Sequence, residues 1–210
     1  MKFTKHLLQQ MLSAALEIIK SNAEELNRLD AATGDGDHGT AILTAMKAAV
    51  DSSQKEGNLA KTLETIGWDI MTSASGSTST LTGSFFIGMS RVVNSDELDL
   101  PDIIKMFKSG LTNVQISTKA GIGDKTIMDA LIPAIEAMDS QNNSNNSIED
   151  VFQSAYEAAQ KGADSTKELL AKFGRAKNIG ERSKGNLDAG AVSIALIYKA
   201  YAEVIHKNNG

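Results

Sequence analysis

The sequence predicts an all-α protein of about eight helices running up and down beside one another. Three observations carry that expectation. Apolar residues recur at three- and four-residue spacings almost from end to end. Period-2 alternation over the length of a strand is hard to find. Proline is nearly absent, with Pro101 and Pro133 the only two in 210 residues.

The elements follow in order. A first helix over 3–27 carries Leu7, Leu8, Met11, Leu12, Ala15, Leu16, Ile18 and Ile19 at helical spacing. A second, over 38–55, opens at His38 behind an acidic, glycine-rich turn. The third covers 58–73, and its Trp68 reads as core, as do most of the methionines. The fourth, over 78–94, grows out of the hydroxyl-rich stretch SASGSTSTLTGSFF. The fifth, over 100–118, has Pro101 in its first turn, where no backbone donor is needed, and carries Ile103, Ile104, Phe107 and Leu111. The sixth spans 126–139. A polar loop at 139–147 (DSQNNSNNS) separates it from the seventh, over 148–172. The eighth, over 187–206, follows a long glycine-rich stretch. Neither an internal repeat nor a second boundary breaks the pattern, so residues 1–210 read as a single domain.

Composition narrows the function. A chain of 210 residues with 41% hydrophobic content can bury a sizeable core. Net charge is −5 with no basic block, which argues against nucleic acid as a partner. The absence of cysteine excludes disulfides, thiolate zinc sites and cysteine nucleophiles. The amino-terminal stretch is broken by Gln, Ser, Glu and Lys, and no apolar run approaches the roughly 20 residues of a membrane span. The expectation is a cytoplasmic protein with no membrane partner.

The unusual loops are not scattered. Stretches rich in Gly, Ser, Thr and Asp lie at 29–40, 73–84, 119–126 and 174–190, joining helices one to two, three to four, five to six and seven to eight. In an up-down arrangement these four connections share one end, and a site is expected on that rim. The first, LDAATGDGDHGT, has G-x-G-x-x-G spacing yet carries Asp30, Asp35 and Asp37. A Rossmann turn must follow a strand, and here a helix precedes it. An EF-hand needs a bidentate Glu at the twelfth position, and counting from Asp35 that position is Met46. Oxygen-only ligands suit Mg²⁺ or Ca²⁺, with Mg²⁺ usual beside phosphates. The alternative is a solvated acidic turn capping the next helix. His38, Gly39, Thr40 and Ala41 open that helix, where free N–H groups favour an anion. A Mg²⁺-bound polyphosphate satisfies both halves of the loop.

The other three stretches say less alone. SASGSTSTLTGSFF suits an anion cradle or an ordinary helix start. In GIGDKT, Asp124 could cap a helix, and Lys125 could be a phosphate ligand or a surface charge. GRAKNIGERSKGNLDAGA has the look of a lid, with Arg175 suited to a phosphate.

Taken together and in this order, GDGDHGT, GDKTIMDAL-x-PA and GRAKNIGERSKGNLDAGA resemble the ADP-binding L-type subunits of phosphotransferase-dependent dihydroxyacetone kinases, over essentially the whole chain. The resemblance implies a ring of eight antiparallel helices with a nucleotide site at one rim. It implies that Asp30, Asp35 and Asp37 hold two Mg²⁺ ions on the phosphates of ADP. It assigns nucleotide contacts to His38, Gly39, Thr40, Ala41, Thr78, Ser79, Gly121, Ile127, Met128, Arg175, Asp188, Ala189 and Gly190. Two departures touch this set. The family's G-G-A-S-G-P-L-x-G is SGSTSTLTG here, and its closing D-P-G is DAG.

The implied activity follows from the same resemblance. ADP stays bound as a cofactor and is phosphorylated in place by a phosphohistidine-bearing M subunit. The phosphoryl group then passes to dihydroxyacetone on a K subunit. No nucleophile or general base is expected in this chain. In some organisms the L-type subunit also contacts a transcription regulator. Two rival readings are an ATP-exchanging kinase subunit for another acceptor and a nucleotide-dependent regulator on the same fold.

Overall fold

Amphipathic helices of similar length, joined by short connections, bury their apolar stripes most completely by closing on one another, and this chain does so. The computed structural model describes residues 1–142 and 146–209. Eight α-helices are present among them: α1 (Lys5–Ala31), α2 (His38–Ser53), α3 (Leu59–Ser73), α4 (Ser77–Ser90), α5 (Leu100–Ser117), α6 (Met128–Ser140), α7 (Ile148–Ser165) and α8 (Ala189–Asn209). Each packs on its neighbours in sequence, and α8 closes on α1, completing a ring. The interior is filled, not hollow. Phe85 of α4 meets Phe107 of α5, which meets Phe152 of α7 and Tyr198 of α8, with ring centroids 5.5–6.2 Å apart. These edge-on and tilted contacts tie the two sides of the ring across its centre.

Several expected boundaries move, each for a local reason. The first helix was expected to end at 27 but continues to Ala31, because nothing in NRLDAA breaks a helix before Gly34. Asp30 therefore projects from a helical turn, not from a loop. The seventh was expected to reach 172 but stops at Ser165, where the Thr166 hydroxyl turns back onto Ala163 O (2.6 Å) and a short 3₁₀ turn, Thr166–Glu168, follows. A second 3₁₀ segment spans Arg175–Ser183. Trp68, expected in the core, is 54% exposed. The buried stripe of α3 is Leu59, Leu63, Ile66 and Ile70, and Trp68 lies off it. A two-residue antiparallel pairing of β1 (Phe3–Thr4) with β2 (Glu97–Leu98) was not anticipated. The polar loop expected at 139–147 includes 143–145, which lie outside the described residues.

The helix starts divide by side of the ring, except for α8, which starts at the near rim with Asp188 accepting from Ala191 N. At the far rim the odd-numbered helices are closed by their own side chains: Thr4 accepts from Leu7 N, Asn58 from Lys61 N and Asp99 from Asp102 N, while Ser147 and Asp150 form a capping box. At the near rim, the N-cap residues of α2, α4 and α6 (Asp37, Gly76 and Ile127) make no such side-chain bond. Three helix N-termini thus face one end of the molecule without a bond from their N-cap side chains, although Asn27 accepts from Thr40 N and Thr126 from Met128 N.

Candidate functional site

The near rim surrounds a cavity of about 470 Å³, within the usual range of ~300–1,000 Å³ for small-molecule sites. The starts of α2, α4, α6 and α8 all reach it, so four positive dipole ends converge there. Residues of all four sequence stretches contribute to its lining, as the alternation of loops predicts.

The carboxylates come from the α1–α2 connection. One oxygen each of Asp30, Asp35 and Asp37 lies within 4.8 Å of the others. Asp30 is held firmly, because its Oδ2 accepts from Gly36 N (2.8 Å) and Asp37 N (3.0 Å). Asp35 is paired with Arg175 at 2.5 Å. Burial and the facing carboxylates of Asp35 and Asp30 raise the Asp37 carboxyl above its ordinary range. A set of oxygen donors whose mutual repulsion is only partly offset by one guanidinium fits a hard divalent cation. Close packing brings this loop to the rim. Gly39 of α2 lies against the Ala23 carbonyl of α1, with no room for a Cβ.

His38 is a brace. The Ser193 hydroxyl lies 2.8 Å from Gly190 O and 3.0 Å from His38 Nε2. The other ring nitrogen, Nδ1, lies 3.2 Å from the Thr78 hydroxyl, so both nitrogens are engaged. One neutral imidazole thus joins the starts of α4, α2 and α8. Burial lowers its pKa and favours the neutral ring.

The α5–α6 loop is organised by Asp129, which is 1% exposed and accepts from Gly123 N (2.6 Å) and Thr126 N (2.7 Å). Asp124, one candidate for a helix cap, instead accepts from Gly121 N and pairs with Lys172 of the α7–α8 connection, both at 2.8 Å. Lys125 is neither a surface charge nor free: it is buried, with its ammonium donating to the carbonyls of Thr166 and Asn186. Asp188 begins α8 and accepts from Ala191 N at 2.8 Å. Burial pushes its carboxyl up to about 6 despite that bond and the nearby Lys125.

Of the residues singled out from sequence, Asp30, Asp35, Asp37, His38, Ala41, Thr78, Lys125, Ile127, Met128, Arg175, Asp188, Ala189 and Gly190 line this one cavity. Gly39, Thr40, Ser79 and Gly121 do not. Thr40 points away and pairs with Asn27, and Ser79 is fully buried behind the start of α4. Sequence reading missed Thr82, which lines the cavity and whose Oγ1 is buried with no hydrogen-bond partner among the described residues. It also missed Leu81 and Phe173, which add to the apolar part of the wall, and Ser193. A carboxylate at 129 amid Met128, Leu131, Ile132 and Ile135 was the one available signal for Asp129.

Known proteins resemble this chain in sequence and fold. A family model described as the DAK2 domain matches residues 32–203. The ADP-binding subunit DhaL of PEP-dependent dihydroxyacetone kinase 1 from Listeria innocua is 30% identical, covering 95% of this chain and 96% of that protein. The Escherichia coli PEP-dependent dihydroxyacetone kinase ADP-binding subunit DhaL is 28% identical, covering 96% and 98%. The L-erythrulose kinase of Pectobacterium atrosepticum is 31% identical over 99% of this chain, which spans only 36% of that longer protein. The crystal structure of the dihydroxyacetone kinase from C. freundii in complex with AMP-PNP and Mg²⁺ superposes with a TM-score of 0.72 at 26% identity, covering 97% of this chain and 34% of that one. The chain belongs to the DAK2 domain family.

Proposed function

We propose that this chain is the ADP-binding subunit of a phosphoenolpyruvate-dependent dihydroxyacetone kinase, with ADP and two Mg²⁺ ions retained as its cofactor. The observation that carries the reading is the contrast between the rims. Helices starting at the far rim are capped by their own N-cap side chains, whereas the N-cap residues of α2, α4 and α6 make no such bond around a cavity that also holds three carboxylates. In the first turns Asn27 accepts from Thr40 N and Thr126 from Met128 N, and the start of α4 has no side-chain acceptor of either kind among the described residues. A Mg²⁺-nucleotide supplies what both halves lack, an anion for the helix starts and cations for the aspartates. The chain covers nearly the whole length of the L-type relative and about one third of the longer erythrulose kinase.

Each residue has a physical task in this reading. Asp30, Asp35 and Asp37 hold the ions, whose chemistry is to neutralise charge on the transferring phosphoryl oxygens. The starts of α2 and α4 offer N–H groups to the phosphates. Arg175, already within reach of the carboxylate cluster, carries a planar fork suited to phosphate oxygens. Leu81, Ile127, Met128 and Phe173 give the nucleobase an apolar wall. His38 has both ring nitrogens engaged and a lowered pKa, so it aligns helix starts and does not act as a base. The chain thus positions the nucleotide. A phosphohistidine-bearing M subunit delivers the phosphoryl group to ADP, and a K subunit presents the dihydroxyacetone hydroxyl that receives it. Kinases named for dihydroxyacetone and for erythrulose match at similar identity, so the acceptor is chosen outside the matched region.

The test is reconstitution with a phosphohistidine-bearing M subunit, a K subunit and a phosphoenolpyruvate-fed phosphoryl supply, with no free nucleotide added. The reading predicts sustained formation of dihydroxyacetone phosphate from substoichiometric amounts of this chain. Product formed only when ATP is added would contradict it.

A further inference from the structure

The long segment between α7 and α8 has two ends that meet at a neck, with Thr166 and Lys125 buried inside it. Gly185 N donates to Lys167 O (2.8 Å), and Asp188 N donates to the Thr166 hydroxyl (2.9 Å). Between these contacts sits Lys125, 2% exposed, whose ammonium donates to Thr166 O at one end of the loop and Asn186 O at the other. A buried ammonium is costly unless its donors are satisfied, and here two carbonyls and the facing carboxylates of Asp188, Asp129 and Glu168 compensate it. The backbone is committed to this arrangement. Lys125 is the one non-glycine residue with positive φ (58°) among the described residues. Asp129 fixes that conformation by accepting from Gly123 N and Thr126 N on either side. Phe173 and Arg175, which line the cavity, both ride on the loop between its pinned ends.

We propose that Lys125 is a positioning residue that locks the neck of this loop and thereby sets how slowly nucleotide leaves the cavity. The inference rests on the nucleotide-binding reading above and deepens it, because that reading assigns Lys125 no part. With the neck closed, Phe173 and Arg175 are carried on a loop anchored at both ends. With the ammonium gone, two buried carbonyls lose their donor, the ends separate, and both side chains are released from the wall together. The lock is a matter of hydrogen bonding to the ammonium, so an arginine, which keeps charge and donors, restores part of it, and a methionine of similar length restores none.

The test uses the full chain with Lys125→Met, Lys125→Arg and Gly185→Ala. Gly185 has φ of 83° and open space around its Cβ position, so alanine there strains the neck from its other strand without removing packing. Two quantities are read: the dissociation rate of ADP in Mg²⁺ buffer after a chase with excess unlabelled ADP, and hydrogen exchange at the amides of Ala171, Gly185 and Asp188. The expected result for Lys125→Met is dissociation faster by about tenfold or more, the equivalent of one lost hydrogen bond to a charged group. Protection is lost at the neck amides while α1 and α8 stay protected. Lys125→Arg recovers at least part of both changes, and Gly185→Ala speeds dissociation by a smaller factor. If Lys125→Met exchanges throughout, Gly185→Ala carries the test, and dissociation at the parent rate overturns the lock. Neck amides that stay protected in Lys125→Met, or an arginine variant as fast as the methionine variant, also overturn it. Should the parent chain bind no ADP, the nucleotide reading fails. The exchange data then decide the neck on their own, with retained protection refuting Lys125 as its lock.

Discussion

Replacing Asp37 with asparagine separates a ligand-binding carboxylate from a structural one. Asp37 stands at the N-cap of α2 but its side chain accepts no cap hydrogen bond, so asparagine forfeits nothing there. What it removes is repulsion. The three carboxylate oxygens lie within 4.8 Å of one another, and at that separation in a water-like dielectric each pair costs about 0.9 kcal/mol. Two such pairs involve Asp37, and Arg175 beside Asp35 together with salt reduce their sum to on the order of 1 kcal/mol. The ligand-free variant should therefore melt at the parent temperature or about 2–4 °C above it. With Mg²⁺-ADP at about 100 times its Kd, the parent gains about 2.7 kcal/mol, or roughly 5–10 °C. Losing even the ~100-fold in affinity that a supporting partner can cost at a metal site leaves a shift of about 1–2 °C. Thermal unfolding with and without Mg²⁺-ADP measures both effects. A ligand-free Asp37→Asn protein that melts several degrees lower, or one that keeps the full Mg²⁺-ADP shift, would refute the reasoning.

Other outcomes follow from the same geometry. The Asp188 carboxyl is raised to about 6, above its value in the unfolded chain, so its contribution to stability is present below about pH 4 and lost as pH rises through about 6. Asp188→Asn keeps an acceptor for Ala191 N, so it should match the parent near pH 4 and exceed it in urea midpoint at pH 7; equal midpoints at pH 7 would contradict this. Arg175 is largely exposed and its pairing with Asp35 is a surface contact, so Arg175→Ala should leave ligand-free stability within about 0.5 kcal/mol while weakening ADP binding measured by calorimetry. Gly39→Ala drives a methyl group into the Ala23 carbonyl, and parting α1 from α2 should cost on the order of 1–3 kcal/mol or more in urea unfolding and lower Mg²⁺ affinity as well. Phe152→Ala empties the centre of the ring and should cost about 3–5 kcal/mol with little change in nucleotide affinity.

The parts of this architecture that were legible in the sequence are those set by local chemistry. The apolar stripes of α1 and α5 sit where residue spacing put them, with Pro101 at the start of α5. The convergence of four loops follows from alternation alone, and it gathers Asp30, Thr78, Ile127 and Arg175 around one cavity. What was illegible depends on partners far along the chain. Lys125 looks like any lysine in a loop, and only the carbonyls of Thr166 and Asn186, 41 and 61 residues on, make it a buried one. His38 becomes a brace because Thr78 and Ser193 arrive on either side of its ring, 40 and 155 residues away. Trp68 was misplaced because a large aromatic at helical spacing was assumed to face inward, whereas the stripe formed by Leu63, Ile66 and Ile70 shows which face is buried. The β1–β2 pairing is two residues long on each strand, too short to leave an alternation pattern.

The central claim is that the rim cavity holds ADP with two Mg²⁺ ions as a resident cofactor. Native mass spectrometry of the purified, extensively desalted chain in Mg²⁺ buffer without added nucleotide tests it most directly. The account predicts a mass excess equal to ADP plus two Mg²⁺ on most of the protein, lost in Asp37→Asn. A bare parent chain that takes up ATP and ADP only reversibly on addition would contradict it.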